Sequence, residues 1–153
     1  MKALIKPENV ALFEKYGVFS KIESHSRYEI FLAEYERKVR IEGELSLNMA
    51  RTIIQPIGSK QLSELVKTIA VMSGCDLKSG LAAQKSAAET IGKLLDGIEL
   101  ECRNLEKALA APNAGKKILE SMAALRKLVD MLEKRVDDDL WTLPKYREML
   151  FIN

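Results

Sequence analysis

Residues 81–136 read LAAQKSAAETIGKLLDGIELECRNLEKALAAPNAGKKILESMAALRKLVDMLEKRV. Within them Leu81, Gln84, Ala88, Ile91, Leu95, Ile98, Cys102, Leu105 and Leu109 recur at alternating intervals of three and four, the spacing of a heptad seam. After Ala111-Pro112-Asn113-Ala114-Gly115, a turn sequence, Ile118, Met122, Leu125, Val129, Leu132 and Val136 repeat that spacing. Two seams joined by a short turn predict an antiparallel helical hairpin. No segment alternates with a strand period over a useful length, so the fold class is all-α.

Upstream, Pro7 suits the first turn of a short helix that runs to Tyr16 and stops at Gly17. Ser20 with Glu23 three residues later forms a capping-box signature and opens a stretch free of proline as far as Gln55. Its apolar stripe runs Tyr28, Leu32, Tyr35 and Val39, is interrupted at Glu42 and Ser46, and resumes at Met49 and Ile53, which predicts a long helix exposed at mid-length. Pro56 lacks an N–H and crowds the preceding turn, so the helix is expected to break or kink there before resuming through Leu62, Leu65, Val66 and Ile69 to Gly74. Gly58-Ser59-Lys60 reads as a polar turn, and Gly92 and Gly97, each unfavourable inside a helix, signal close helix approach or a bend. Together these elements predict an elongated antiparallel helical bundle, a single helical domain over residues 1–153.

The 153 residues carry 24 basic against 22 acidic side chains, a net charge of +2, with the signs interspersed. No basic face for nucleic acid is predicted. No apolar run spans a bilayer, and the broken start Met1-Lys2-Ala3-Leu4-Ile5-Lys6-Pro7 is not read as a signal peptide, so a cytoplasmic protein without membrane contact is expected. Cys75 and Cys102 are then expected to be free thiols. Acid-then-base pairs at i and i+4 (Glu23/Arg27, Glu34/Lys38, Glu36/Arg40, Glu89/Lys93, Glu99/Arg103, Asp130/Lys134) mark the wet helix faces.

Catalytic chemistry finds little to work with. A bundled di-iron site needs two Glu-x-x-His pairs, and the chain holds one histidine, His25. His25 with Glu29 makes a weak pair without further ligands, and Asp137-Asp138-Asp139 lacks the glycine and distal glutamate of a calcium loop, so a solvated helix end or a cap for the next turn is the expectation. No Gly-x-x-x-x-Gly-Lys phosphate loop occurs. No catalytic, cofactor-binding or metal residue is assigned.

The tail, by contrast, gathers Trp141, Leu143, Pro144, Tyr146, Leu150 and Phe151 into the last fourteen residues, from Leu140 to Asn153. Side chains of this size need cover. Two readings stay open: the tail folds back onto the bundle, or it docks on another domain or subunit.

Three stretches carry a family resemblance: His25-Ser26-Arg27-Tyr28-Glu29-Ile30; Asn48-Met49-Ala50-Arg51 leading to Pro56; and Asp138-Asp139-Leu140-Trp141 followed by Leu143-Pro144-Lys145-Tyr146-Arg147-Glu148-Met149-Leu150-Phe151-Ile152. In this order, over nearly the whole chain, they resemble the C-terminal helical region of type III glutamine synthetases, with Thr142 standing where that pattern has proline. The resemblance implies a fragment that follows the catalytic region of an enzyme joining ammonia to glutamate with ATP and a divalent metal, Mg or Mn. It carries over no catalytic residue, and no activity is expected of this chain alone. The implied role is non-catalytic structure and assembly, with the catalytic domain of the same polypeptide and neighbouring subunits of a homo-oligomer as partners. The tail would then be the docking element. A free-standing helical adaptor that binds a protein partner is the alternative from a different class, since both roles need the same amphipathic faces.

Overall fold

A computed structural model of the chain describes residues 2–144. A 3-10 turn, Lys2–Ile5, leads into α1, Pro7–Lys15, with Pro7 at the first helical position, where its missing N–H leaves nothing unpaired. Gly17 then takes φ +64°, a left-handed conformation that turns the chain. The expected capping box starts α2, Lys21–Met49: the Ser20 hydroxyl accepts from the Glu23 N–H at 3.2 Å, and the Glu23 carboxylate accepts from the Ser20 N–H at 2.8 Å.

At Pro56 the chain does not leave the helix. Residues Ala50–Ile54 widen into a π turn, in which the Gln55 N–H donates to the Ala50 carbonyl, and α3 continues directly as Gln55–Gly74. A wider turn just before a proline makes room where its ring would press on the carbonyl four residues back, and the lost hydrogen bond is absorbed locally. Pro56 thus interrupts the α geometry but not the rod. Residues 21–74 form one helix that would be about 80 Å long at the usual rise.

The connection through residues 75–80 uses left-handed backbone at Asp76 and Gly80. It delivers the chain to α4, Leu81–Ala110, and a short turn returns it as α5, Gly115–Glu133. The heptad reading holds on this hairpin. On α4, Ile91, Leu94, Ile98, Cys102, Leu105 and Ala108 are buried, and on α5 and just beyond it Ile118, Leu125, Leu132 and Val136 are buried. The long helix closes this core with Val39, Ala50, Ile54 and Ile57.

The middle of the long helix is packed, contrary to the exposed mid-section expected from Glu42 and Ser46. Gly43 is buried, and a Cβ there would lie 2.8 Å from Ile118 Cγ2 and 3.1 Å from Leu109 Cδ2. Gly58 is likewise buried inside α3, with a hypothetical Cβ 2.7 Å from Leu95 Cδ2 and 3.2 Å from Leu132 Cδ2. The polar turn expected at Gly58-Ser59-Lys60 is therefore a helix–helix contact. Gly97 also meets a neighbour, Leu128, at 3.2 Å, whereas Gly92 faces open space.

These glycines make opposed expectations. Gly43→Val and Gly58→Val should each destabilise the chain by about 2 kcal/mol or more through overpacking. Gly92→Ala should stabilise it by about 0.5–1 kcal/mol through helix propensity alone. Urea unfolding of the three variants measures both signs, and equal effects at all three positions would refute the close-approach assignment.

Candidate functional site

The side chains with chemical potential lie apart. His25 is exposed near the start of α2. Cys75 is exposed at the end of α3, while Cys102 is buried in the core, where burial pushes its thiol up and keeps it protonated. Among the described residues no three His, Cys, Asp or Glu side chains gather into a metal-holding group, and no helix is long and apolar enough to cross a membrane. Asp137-Asp138-Asp139 shapes the backbone: the Asp137 carboxylate accepts from the Asp139 N–H at 2.9 Å, the Gln61 side chain accepts from the Asp137 N–H at 3.0 Å, and the Asp138 carbonyl accepts from the Trp141 N–H. This turn aims Trp141 at the bundle.

Three surfaces remain, one for each stretch that carried the resemblance. The first is the N-terminal arm. Here α1 folds back on the beginning of α2 and buries Val10 and Ser24, while Phe13 meets Phe19 edge-on and the Arg27 guanidinium lies 4.5 Å from the Phe19 ring. Arg27 thus serves a cation–π contact. Around this small knot Ile22 is 82% and Tyr16 68% exposed, with Leu12, Val18, Ile30 and Phe31 also open to solvent.

The second surface surrounds the π turn. Arg51 makes a two-pronged ion pair with Glu106 on α4, at 3.1 and 2.8 Å. Gln55 donates to Glu99 at 2.9 Å, and Glu99 also accepts from Arg103 at 2.8 Å, the expected i, i+4 pair. These contacts hold the Glu99 and Glu106 carboxyls below the usual range, chiefly through the Gln55 and Arg51 hydrogen bonds respectively. Two other pairings depart from expectation. Asp130 pairs with Arg126 at 3.9 Å, and Arg40 reaches the end of α4, donating to the Leu109 and Ala111 carbonyls. A guanidinium satisfies those otherwise unpaired groups and complements the negative end of the helix dipole, a role that i, i+4 bookkeeping within one helix had no means of finding.

The third surface is the tail. Trp141 is only 8% exposed and belongs to the core cluster, and Leu140 and Leu143 pack against it. Pro144 is exposed, and Tyr146, Leu150 and Phe151 lie outside the described residues.

The family model described as "Glutamine synthetase C-terminal domain" matches residues 1–73, the arm and almost the whole long helix. A glutamine synthetase of Butyrivibrio fibrisolvens is 32% identical over 96% of this chain. Residues 1–73 thus match the glutamine synthetase C-terminal domain, and the chain is similar to glutamine synthetases over nearly its whole length. A glutamine synthetase of Bacteroides fragilis is 29% identical over 88% of the chain, and a type-3 glutamine synthetase of Dictyostelium discoideum is 24% identical over 95%. The matches to the curated relatives extend through the α4–α5 hairpin, beyond the family model. The chain spans 23%, 20% and 22% of these three relatives, about a fifth of each.

Two expectations follow from these contacts. Arg40→Gln should cost about 1.5–3 kcal/mol in urea unfolding, because two carbonyls at the end of α4 lose a charged donor. The depressed Glu99 and Glu106 carboxyls stabilise the fold above the unfolded value of about 4.3, and that contribution disappears as pH falls through their lower folded values. The thermal midpoint should therefore drop on acidification below about pH 4.3, and Glu106→Gln should flatten that drop; an unchanged acid limb would count against the Arg51 clamp.

Proposed function

We propose that this chain is the non-catalytic structural and assembly domain of a type III glutamine synthetase, and that residues 1–153 act as one helical domain. The complete cytoplasmic enzyme joins ammonia to glutamate using ATP to give glutamine. The observation that carries this reading is the match of nearly the whole chain to about a fifth of each glutamine synthetase relative. Supporting it, Arg51 and Glu106 pair with each other and Gln55 binds Glu99, so these polar side chains tie the long helix to α4.

The ATP and Mg or Mn of the whole enzyme find no fitting residues here: the sequence lacks a Gly-x-x-x-x-Gly-Lys loop, and the described residues offer no cluster of metal ligands. We place those sites in the remainder of the polypeptide. The partners are the catalytic region of the same polypeptide and neighbouring subunits of a homo-oligomer, with no role in binding nucleic acid or membrane. The arm is the surface we assign to them, because Tyr16, Ile22, Ile30 and Phe31 expose apolar area that a protein interface would bury.

An antibody raised against this chain and used on the source cells tests the reading. The native antigen should migrate at about four to five times 17.2 kDa and co-purify with γ-glutamyl transferase activity. A single band at 17.2 kDa, free of that activity, would overturn the proposal in favour of a free-standing adaptor.

A further inference from the structure

Along α2, Arg27, Ile30, Glu34, Arg37, Ile41 and Glu44 follow one another at intervals of three, four, three, four and three, which sets them in one stripe about 26 Å long. All six are exposed. The stripe faces away from the bundle, because Ile41 stands two residues from both Val39 and Gly43 and therefore about 200° round the helix from those buried positions. Ile30 is 54% and Ile41 57% exposed. Glu34, Arg37 and Glu44 make no ion pair with another described residue, so the expected Glu34/Lys38 pair is not formed. A guanidinium lying over a ring, as Arg27 lies over Phe19, still presents its N–H groups edgewise.

We propose that this stripe pairs with the same stripe of a second copy of the chain, antiparallel and about a two-fold axis between residues 35 and 36. The order of the residues carries the assignment. Read forward they run basic, apolar, acidic, basic, apolar, acidic; read backward they run acidic, apolar, basic, acidic, apolar, basic. In the antiparallel register each residue therefore meets its complement: Arg27 faces the partner's Glu44, Ile30 the partner's Ile41, and Glu34 the partner's Arg37, every pair occurring twice by symmetry. A parallel arrangement sets Glu34 opposite Glu34 and Arg37 opposite Arg37, and repulsion rejects it. Few apolar side chains lie in the stripe, so the dimer is weak, is held largely by charge and loosens as salt rises. In the oligomer proposed above this contact joins two subunits, beginning at the edge of the arm with Ile30; the pairing itself does not rest on that role.

Sedimentation of the full chain at low ionic strength reads the pairing. It should show a monomer–dimer equilibrium below about 1 mM protein that shifts toward monomer as salt is added. Glu34→Arg and Arg37→Glu each set like charges across the axis, and each should raise the dissociation constant about tenfold or more. An equimolar mixture of these two variants should recover the dimer, and so should the double variant Glu34→Arg/Arg37→Glu, because opposite charges face each other again. Recovery in the mixture also shows that both single variants are folded. A chain that stays monomeric to about 1 mM would overturn the proposal. So would a dimer indifferent to either reversal, or a mixture that stays as dissociated as its components. These outcomes are independent of the mass of the native antigen, so the pairing and the glutamine synthetase reading can fail separately.

Discussion

Everything in this bundle is arranged around the close approach of the long helix to the α4–α5 hairpin, made where the long helix has no side chain to offer. Gly43 admits Ile118 and Leu109, Gly58 admits Leu95 and Leu132, and fully buried Ala50 lies between them. Larger residues at those points would hold the rods apart, and the large side chains of α4 and α5 would lose partner atoms on one side. Each glycine weakens its own helix locally, so the contact is sustained only by what it allows the hairpin to bury. The Gly58→Val and Gly92→Ala contrast separates these two contributions.

The π turn sits in the middle of this seam. It accommodates Pro56 without ending the helix, and it turns Ala50 and Ile54 inward while Arg51 and Gln55 reach Glu106 and Glu99 on α4. A single local distortion is thus fixed from two directions, by apolar packing and by charged hydrogen bonds. Arg40, by closing the end of α4, fixes the hairpin lengthwise against the same helix. One rigid rod results, gripped by the hairpin over its central part and leaving the α1–α2 arm to project with Tyr16, Ile22 and Phe31 uncovered. Arg40, Arg51, Gln55, Glu99 and Glu106 all serve to hold three helices together.

The sequence reading reached the hairpin, the turn at Pro112, the Ser20–Glu23 capping box and the helix start at Pro7 because each rests on neighbours within a few residues: heptad spacing, a reciprocal cap, a missing N–H. The similarity to glutamine synthetases is carried by the motifs around His25, Asn48 and Trp141, while the purpose of two of those motifs emerged only in three dimensions. Asn48-Met49-Ala50-Arg51 supplies the π turn and its clamp. Asp138-Asp139-Leu140-Trp141 forms a turn that drives the tryptophan into the core.

What the sequence determined by itself, then, is the all-α class, the two seams and the place where the long rod must deform, because periodicity and proline act through the backbone of their own segment. The tertiary structure decided the rest. Gly58 looks like part of a polar turn, and Gly43 like nothing in particular, until Leu95 and Ile118, far along the chain, are seen to occupy the space above them. Arg40 looks like half of a surface ion pair until the last carbonyls of α4 come within its reach. A residue whose energetic reason is a partner distant in sequence carries no local trace of that partner, and only the packing of helix on helix brings the reason into contact with it.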